Sequence, residues 1–421
     1  MRMRSSDDPR YELGEGVRLA RATGDEKSHF FGYYDKSPID PWSGTRLLCH
    51  RTDFDGRDVA ADDAAEVGYI DLRDGTFYEV GATRAFNWQQ GAMLQWLPGR
   101  EGPTVIYNDF DGERFCSRIV EIESGERRTI PHTIYAVHPS GRFALALNYD
   151  RLYYLRGGYR YPQHGDPAWN HACPAGEGIF RVDLETGDTE LLVELDRQVA
   201  IDPLPAFSRE KHWLDHAMWN PSGDRFALLH RWSTRGQCDP HHTRLYTVNA
   251  DGGEMHRFPD TRTYSHMAWR GDREMTLWAR RTRTRRGRSA SCLRRVTPGP
   301  LRAAVDRLRD FTGWLSLPDR DGAEGTPLAP RELPVNGHNT WTADARFMLT
   351  DTYEDAHDRR HLLLYDSLSD CARMLASFQS AFPRTGYRCD LHPRFGSDEL
   401  TVVVDSACTG RRQVYVLEID A

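Results

Sequence analysis

Lysine is almost missing from this sequence: Lys27, Lys36 and Lys211 are the only three, and arginine supplies nearly all of the positive charge. With 62 acidic residues against 55 basic ones the net charge is −7, so the strongly basic face expected of a general nucleic-acid binder is lacking. No stretch approaches the roughly 18 consecutive apolar residues that a spanning helix needs, which excludes a helical membrane protein. The eight cysteines include no CxxC pair, so they suggest neither a zinc knuckle nor a disulfide framework and read mostly as buried thiols. The opening Met1-Arg-Met-Arg-Ser-Ser-Asp-Asp-Pro9 carries no apolar leader core, and a cytoplasmic location is the resulting expectation. Catalytic signatures are missing too. There is no GxSxG elbow, which excludes a peptidase that pairs a propeller with a serine-hydrolase domain. Neither a phosphate-binding GxxxxGK[ST] nor a dinucleotide GxGxxG follows a strand, and HExxH is absent.

What the sequence has is a repeat. The clearest copies are His216-Ala-Met-Trp219-Asn-Pro-Ser-Gly223 and His338-Asn-Thr-Trp341-Thr-Ala-Asp344, with Ile134-Tyr-Ala-Val137-His-Pro-Ser-Gly141 close to them. Weaker copies are His266-Met-Ala-Trp269, Met93-Leu-Gln-Trp96, Arg388-Cys-Asp-Leu391 and Tyr33-Tyr-Asp-Lys36. Copies recur about every 40–70 residues, slightly longer than common propeller repeats. Each reads as a short strand, a Pro/Gly/Asp turn, a second alternating strand and a third such as Arg244-Leu-Tyr-Thr-Val-Asn249. Four short strands per unit make a propeller blade.

The expected fold is therefore all-β, a single seven-bladed β-propeller with blades over about 28–81, 85–131, 133–196, 212–259, 263–297, 335–379 and 385–421. The segment Gly16–Arg21 is expected to supply the strand that closes the ring. Helix periodicity is scarce; the exception is Leu301–Leu315, expected as one helix inside a Pro/Gly-rich insertion over 298–334. The stretch Arg280–Arg288 is either a solvated hairpin loop or a basic rim that attracts an anionic substrate.

Aligning the copies on Trp219 puts one residue of each innermost strand at the same height along the channel: Tyr33, Met93, Ile134, His216, His266, His338 and Arg388. Three histidines, a tyrosine and an arginine at one repeat position point to a shared pocket on the axis. Tyr34, Asp35 and Asp390 flank the ring position. Each histidine taken singly also has a structural reading, bonding the neighbouring blade's backbone. His138 and His392 stand directly before proline and read as turn caps, while Trp96, Trp219, Trp269 and Trp341 read as core anchors between blades. Imidazoles from different blades, with Asp390, form a donor set suited to Mn²⁺ or Zn²⁺.

At these residues the chain resembles a known family. Ser28-His-Phe-Phe-Gly-Tyr-Tyr-Asp-Lys-Ser-Pro38, Cys389-Asp-Leu-His-Pro-Arg-Phe395 and Arg412-Gln-Val-Tyr415 are similar to motifs of the oligogalacturonate lyases and related propeller polysaccharide lyases. The resemblance implies a divalent metal, Mn²⁺ first, held at His338, Asp390 and His392, with aspartate where the family has one of its histidines. It also implies proton removal at C5 of a uronate. β-Elimination itself requires a cation against the carboxylate, a base and an acid for the departing glycosidic oxygen. Arg388 or a metal suits the first role and His216 or His266 the second. Tyr33 or Tyr34 suits the third, with Tyr34, Asp35 and Arg388 binding substrate. The expected partner is an anionic uronate oligosaccharide. Two other readings stand beside this one: a non-catalytic TolB-like propeller that binds a protein or glycan, and a glycoside hydrolase using Asp35 and Asp390 across the channel mouth.

Overall fold

The computed structural model describes residues 4–5, 9–24, 26–205, 207–233, 242–259, 262–281, 312–382 and 385–420. Seven antiparallel sheets form the β-propeller, six of four strands and one of six; in five of them all strands run in chain order from the axis outward, while the sixth and seventh take their outermost strands from the N-terminal segment. Only two short α-helices occur among the described residues, Tyr149–Leu155 and Leu195–Ala200.

The repeat tryptophans explain how the blades lock together. Each is buried or nearly so, and its indole N–H donates to the preceding blade: Trp96 to the Pro38 carbonyl at 2.8 Å, Trp219 to Ala136 and Trp269 to Met218, both at 3.1 Å. Trp341 donates instead to the Thr276 hydroxyl at 2.7 Å. One residue thus fills the gap between two sheets and fixes their relative height. The ring closes as expected, with Val17–Ala22 pairing as the outer strand of Gln413–Ile419 in the seventh blade. A buried brace reinforces the closure: Asp405 accepts from the Gly32 N–H at 3.0 Å and pairs with Arg394 at 3.2 Å, while Arg394 donates to the Tyr33 carbonyl at 3.0 Å. Tyr11–Leu13, not foreseen as a strand, adds to the outer edge of Cys371–Gln379 in the sixth blade.

The fifth blade differs from expectation. Its third and fourth strands, Gly313–Pro318 and Thr326–Pro327, lie inside the stretch expected to be an insertion. Trp314 sits opposite Trp278 in a strand ladder, so the end of the expected helix Leu301–Leu315 is strand, and residues 301–311 lie outside the described residues. Buried Trp314, Leu315 and Leu317 fit a helical stripe as well as a buried strand, a known ambiguity of short apolar runs. Of Arg280–Arg288 the structure describes only Arg280 and the strand backbone at Arg281.

A long connection follows strand Phe143–Ala146 of the third blade and contains the helix Tyr149–Leu155. The Asn148 side chain caps it, accepting from the Asp150 N–H at 3.1 Å. Arg151, fully buried, pins it down: it pairs with Asp166 at 2.7 Å and donates to the carbonyls of His212 at 3.0 Å and Ala172 at 2.8 Å. This connection carries Arg156, Tyr159 and Arg160 to the mouth of the channel.

Several histidines are built into the core in neutral form. The buried His50 ring donates from Nδ1 to the Phe30 carbonyl at 3.2 Å and accepts at Nε2 from the Ala92 N–H at 3.0 Å, which bridges the first two blades. Burial holds His50 and His212 down at about 4, against an unfolded value near 6.5. The unfolded chain therefore binds more protons in this interval, so the contribution of these rings is complete above pH ~6.5 and is lost as pH falls towards ~4. Thermal unfolding followed by circular dichroism should show the midpoint falling as pH is lowered from 7 to 5, and His50→Gln should flatten that slope. A midpoint independent of pH over this range would contradict the assignment.

Candidate active site

The innermost strands do not run straight. In the fourth blade the ladder of Lys211–Trp219 skips from Asp215 to Met218, and in the fifth that of Arg262–Trp269 skips from Ser265 to Ala268. The extra residues form bulges in which His216 and His266 take the left-handed backbone, with φ of 56° and 49°. Met93, at the same repeat position of the second blade, has φ of 53°. A bulge re-aims one side chain out of the ladder, and here it brings both histidines to the wall of a cavity of about 580 Å³ at the axis.

Arginine dominates that wall: Arg156, Arg160, Arg231, Arg280 and Arg388 line it, whereas Asp58 is the one carboxylate lining it among the described residues. The positive potential suits an anionic ligand.

His216 and His266 have different surroundings. Nε2 of His216 lies 3.1 Å from Asp215, and its Nδ1 faces two hydroxyls, Tyr33 at 2.8 Å and Tyr135 at 3.1 Å. Asp215 in turn takes Arg156 at 3.2 Å and Arg231 at 3.5 Å. Burial presses His216 down to about 3, so it is neutral, but its lone pair is already covered by buried tyrosines. His266 donates from Nδ1 to the Asn336 side-chain oxygen at 2.8 Å, which leaves the Nε2 lone pair facing the Tyr353 hydroxyl at 3.3 Å. Burial, reinforced by His338, holds His266 well below the usual histidine range. It is a neutral base at the cavity wall, with its tautomer fixed by Asn336.

Tyr33 and Tyr34 do not line the cavity. Tyr33 stacks beneath His216, and Tyr34 donates to the Met267 carbonyl at 2.9 Å. Tyr353 takes the place at the wall expected for a tyrosine acid. Asp35 also stays off the wall, paired with the partly buried Lys36 at 2.6 Å.

Behind His266 lie the residues read as metal ligands. The ring centroids of His266 and His338 are 4.4 Å apart and those of His338 and His392 4.2 Å apart, so three blades converge. One donor atom each from His338, Asp390 and His392 lies within 4.8 Å of the other two, and all three residues are buried. Nε2 of both histidines is buried without a hydrogen-bond partner among the described residues. His392 has its other nitrogen fixed by the Gly32 carbonyl at 2.7 Å, so it serves the blade junction as well as the cluster. Two unused imidazole lone pairs facing a carboxylate form a mixed N,O donor set that fits a divalent cation, the imidazoles suiting Zn²⁺ and the carboxylate Mn²⁺. His138 does cap its turn, bonding Ser140 at 2.8 Å and Gly223 at 2.9 Å.

Asp390 is ionised. Burial pushes its carboxyl up, but Arg388 and Arg360 outweigh that and hold it well below the usual carboxylate range. Arg388 lies 3.0 Å away, half-exposed towards the cavity, and Arg360 pairs from behind. A carboxylate so held cannot serve as a proton donor, and with Asp35 tied to Lys36 the pair required for glycoside hydrolysis is not assembled. Sequence reasoning missed Asn336, Tyr353, Asp351, Arg231 and Asp215. Arg231 lies two residues before the end of the second strand Arg225–Ser233 and Asp351 ends the second strand Phe347–Asp351, positions that an alignment of innermost strands does not reach.

No family model and no curated protein matches the sequence. Among solved structures, an oligogalacturonate lyase in complex with manganese superposes with a TM-score of 0.63 at 15% identity, covering 100% of this chain and 96% of the other. The oligogalacturonate lyase of Vibrio parahaemolyticus does so with a TM-score of 0.63 at 14% identity, over 100% and 96% of the two chains. At this identity the likeness is one of fold: the chain is a seven-bladed β-propeller resembling those of the oligogalacturonate lyases over its whole length.

Proposed function

We propose that the protein is a lyase that cleaves short uronate-containing oligosaccharides by β-elimination. The observation that carries this reading is the set of groups on one wall: neutral His266 with its lone pair inward, Tyr353 beside it, Arg388 over the Tyr353 ring at 5.7 Å, and a cation-ready cluster in ring contact with the base. The likeness to oligogalacturonate lyases supports the same reaction class.

Elimination removes the weakly acidic proton beside a carboxylate, and the negative charge that develops spreads onto that carboxylate. His266 takes the proton at Nε2, while Asn336 holds the other nitrogen protonated and the ring in place. Arg388 sets a permanent positive charge against the carboxylate; its neighbour Asp390 raises its affinity for protons further. The Tyr353 hydroxyl, kept protonated by burial, donates to the departing glycosidic oxygen. His338, Asp390 and His392 would hold Mn²⁺, which when bound supplies Lewis-acid neutralisation of the carboxylate. Arg156 and Arg231, bridged by Asp215, line the same cavity and bind further acidic groups of the substrate.

Product analysis tests the reaction class. Mass spectrometry of digests of short uronate oligosaccharides should give fragments lacking one water relative to hydrolysis products, with a double bond in the new non-reducing sugar. Hydrolysis products would restore the glycosidase reading; tight binding without cleavage would favour a binding propeller.

A further inference from the structure

We infer that Asp351 is a positioning residue that prepares the His338/Asp390/His392 cluster for a divalent cation, an inference that rests on reading those three residues as a cation site. Asp351 ends the second strand of the sixth blade and is almost wholly buried. Its carboxylate reaches residues of two blades. Oδ1 accepts from the His338 backbone N–H at 2.7 Å, and both oxygens lie 3.0 Å from His338 Nδ1. Oδ2 accepts from the His392 backbone N–H at 3.1 Å. One side chain therefore fixes the ring of one ligand and the backbone of another.

Two consequences follow. The first is tautomeric. A carboxylate can only accept, so His338 must carry its proton on Nδ1, and the lone pair is left on Nε2, the buried atom with no other partner among the described residues. A carboxylate behind a ligating imidazole orients the ring and raises its basicity. The second is electrostatic. Asp390 is matched by two arginines, whereas the only ion-pair partner of Asp351 among the described residues is His338. Asp351 therefore places a buried carboxylate behind the cluster with no arginine in direct contact among the described residues. Asp351 thus supplies the negative charge that Arg388 and Arg360 withdraw from Asp390.

Asp351→Asn, nearly isosteric, separates this role from a merely structural one. Mn²⁺ binding, followed by titration of the free-ion electron paramagnetic resonance signal, should weaken about 10–100-fold in D351N. Asn keeps only one acceptor oxygen for the two backbone N–H groups of His338 and His392, so the chelated protein should also melt somewhat lower, and the metal affinity is the readout that decides. A merely structural role predicts lower metal-free stability with unchanged affinity of the folded protein, and unchanged affinity would overturn the inference. If D351N does not fold, long-range ¹H–¹⁵N spectra of metal-free wild type decide: His338 protonated on Nδ1 supports the inference and protonation on Nε2 overturns it. Failure of the underlying site is distinguishable. Wild type that binds no Mn²⁺ sinks both readings, whereas binding abolished by His338→Asn and His392→Asn but retained in D351N sinks only the role of Asp351.

Discussion

His266→Ala should lower the rate of elimination by about 10²–10⁴ with no loss of folded structure, the range for removing a positioned general base. The ring is buried and neutral, and its inward nitrogen has no stronger partner than the Tyr353 hydroxyl at 3.3 Å. His216 provides the control. It stands at the same repeat position, in the same kind of bulge and on the same cavity, yet its lone pair is covered by Tyr33 and Tyr135. His216→Gln should therefore reduce turnover less than about tenfold if its role is to hold Asp215 and the tyrosines in place. Steady-state kinetics on both variants separate the two. Equal losses would mean that the two rings act as one unit, and a larger loss in His216→Gln would reverse the assignment.

Arg388→Ala is expected to reduce kcat/KM by about 10²–10³, the scale of removing one fixed charge from a site where negative charge develops. Arg388→Lys should recover only part of the loss, since a compact ammonium cannot replace a planar guanidinium spanning Asp390 and a bound carboxylate. The sign of a second effect makes the test sharper. Arg388 lies 3.0 Å from Asp390, a member of the cation cluster, and competes with a cation for that carboxylate. Removing it should leave Mn²⁺ affinity unchanged or higher while activity falls, because Arg360 still supports Asp390. Parallel loss of metal binding and activity would show that Arg388 acts by building the cluster and not on substrate.

The two variants also show how far the sequence could be read. The ring of His216, His266, His338 and Arg388 came from alignment on the anchor tryptophans, since a repeat puts equivalent residues at equivalent heights. Propeller architecture and closure by Val17–Ala22 follow from the same periodicity. Direction is what periodicity cannot supply. Tyr33 holds a ring position yet points beneath His216, whereas Tyr353, in the connection after the second strand of the sixth blade, reaches the cavity. The bulges at His216 and His266 are local backbone events that leave no mark on the apolar pattern. Pairing hid Asp35 as well, because the adjacent Lys36 neutralises it and takes it out of the site. Asp351 and Arg231 lie on second strands, which the alignment of innermost strands leaves out. In the fifth blade, Gly313–Pro318 was hidden by a helical stripe that serves a buried strand equally well.

Elimination by the His266 wall, supported by a cation at His338, Asp390 and His392, is the central claim, and one measurement reaches it directly. Purified protein, freed of metal by chelation and then supplied with Mn²⁺, is incubated with a panel of short uronate oligosaccharides while the ultraviolet absorbance of the unsaturated uronate product is followed. The account predicts a rise with at least one uronate substrate, faster with Mn²⁺ than without and lost in His266→Ala. Sugar binding with no rise across the panel, with or without Mn²⁺, would contradict it.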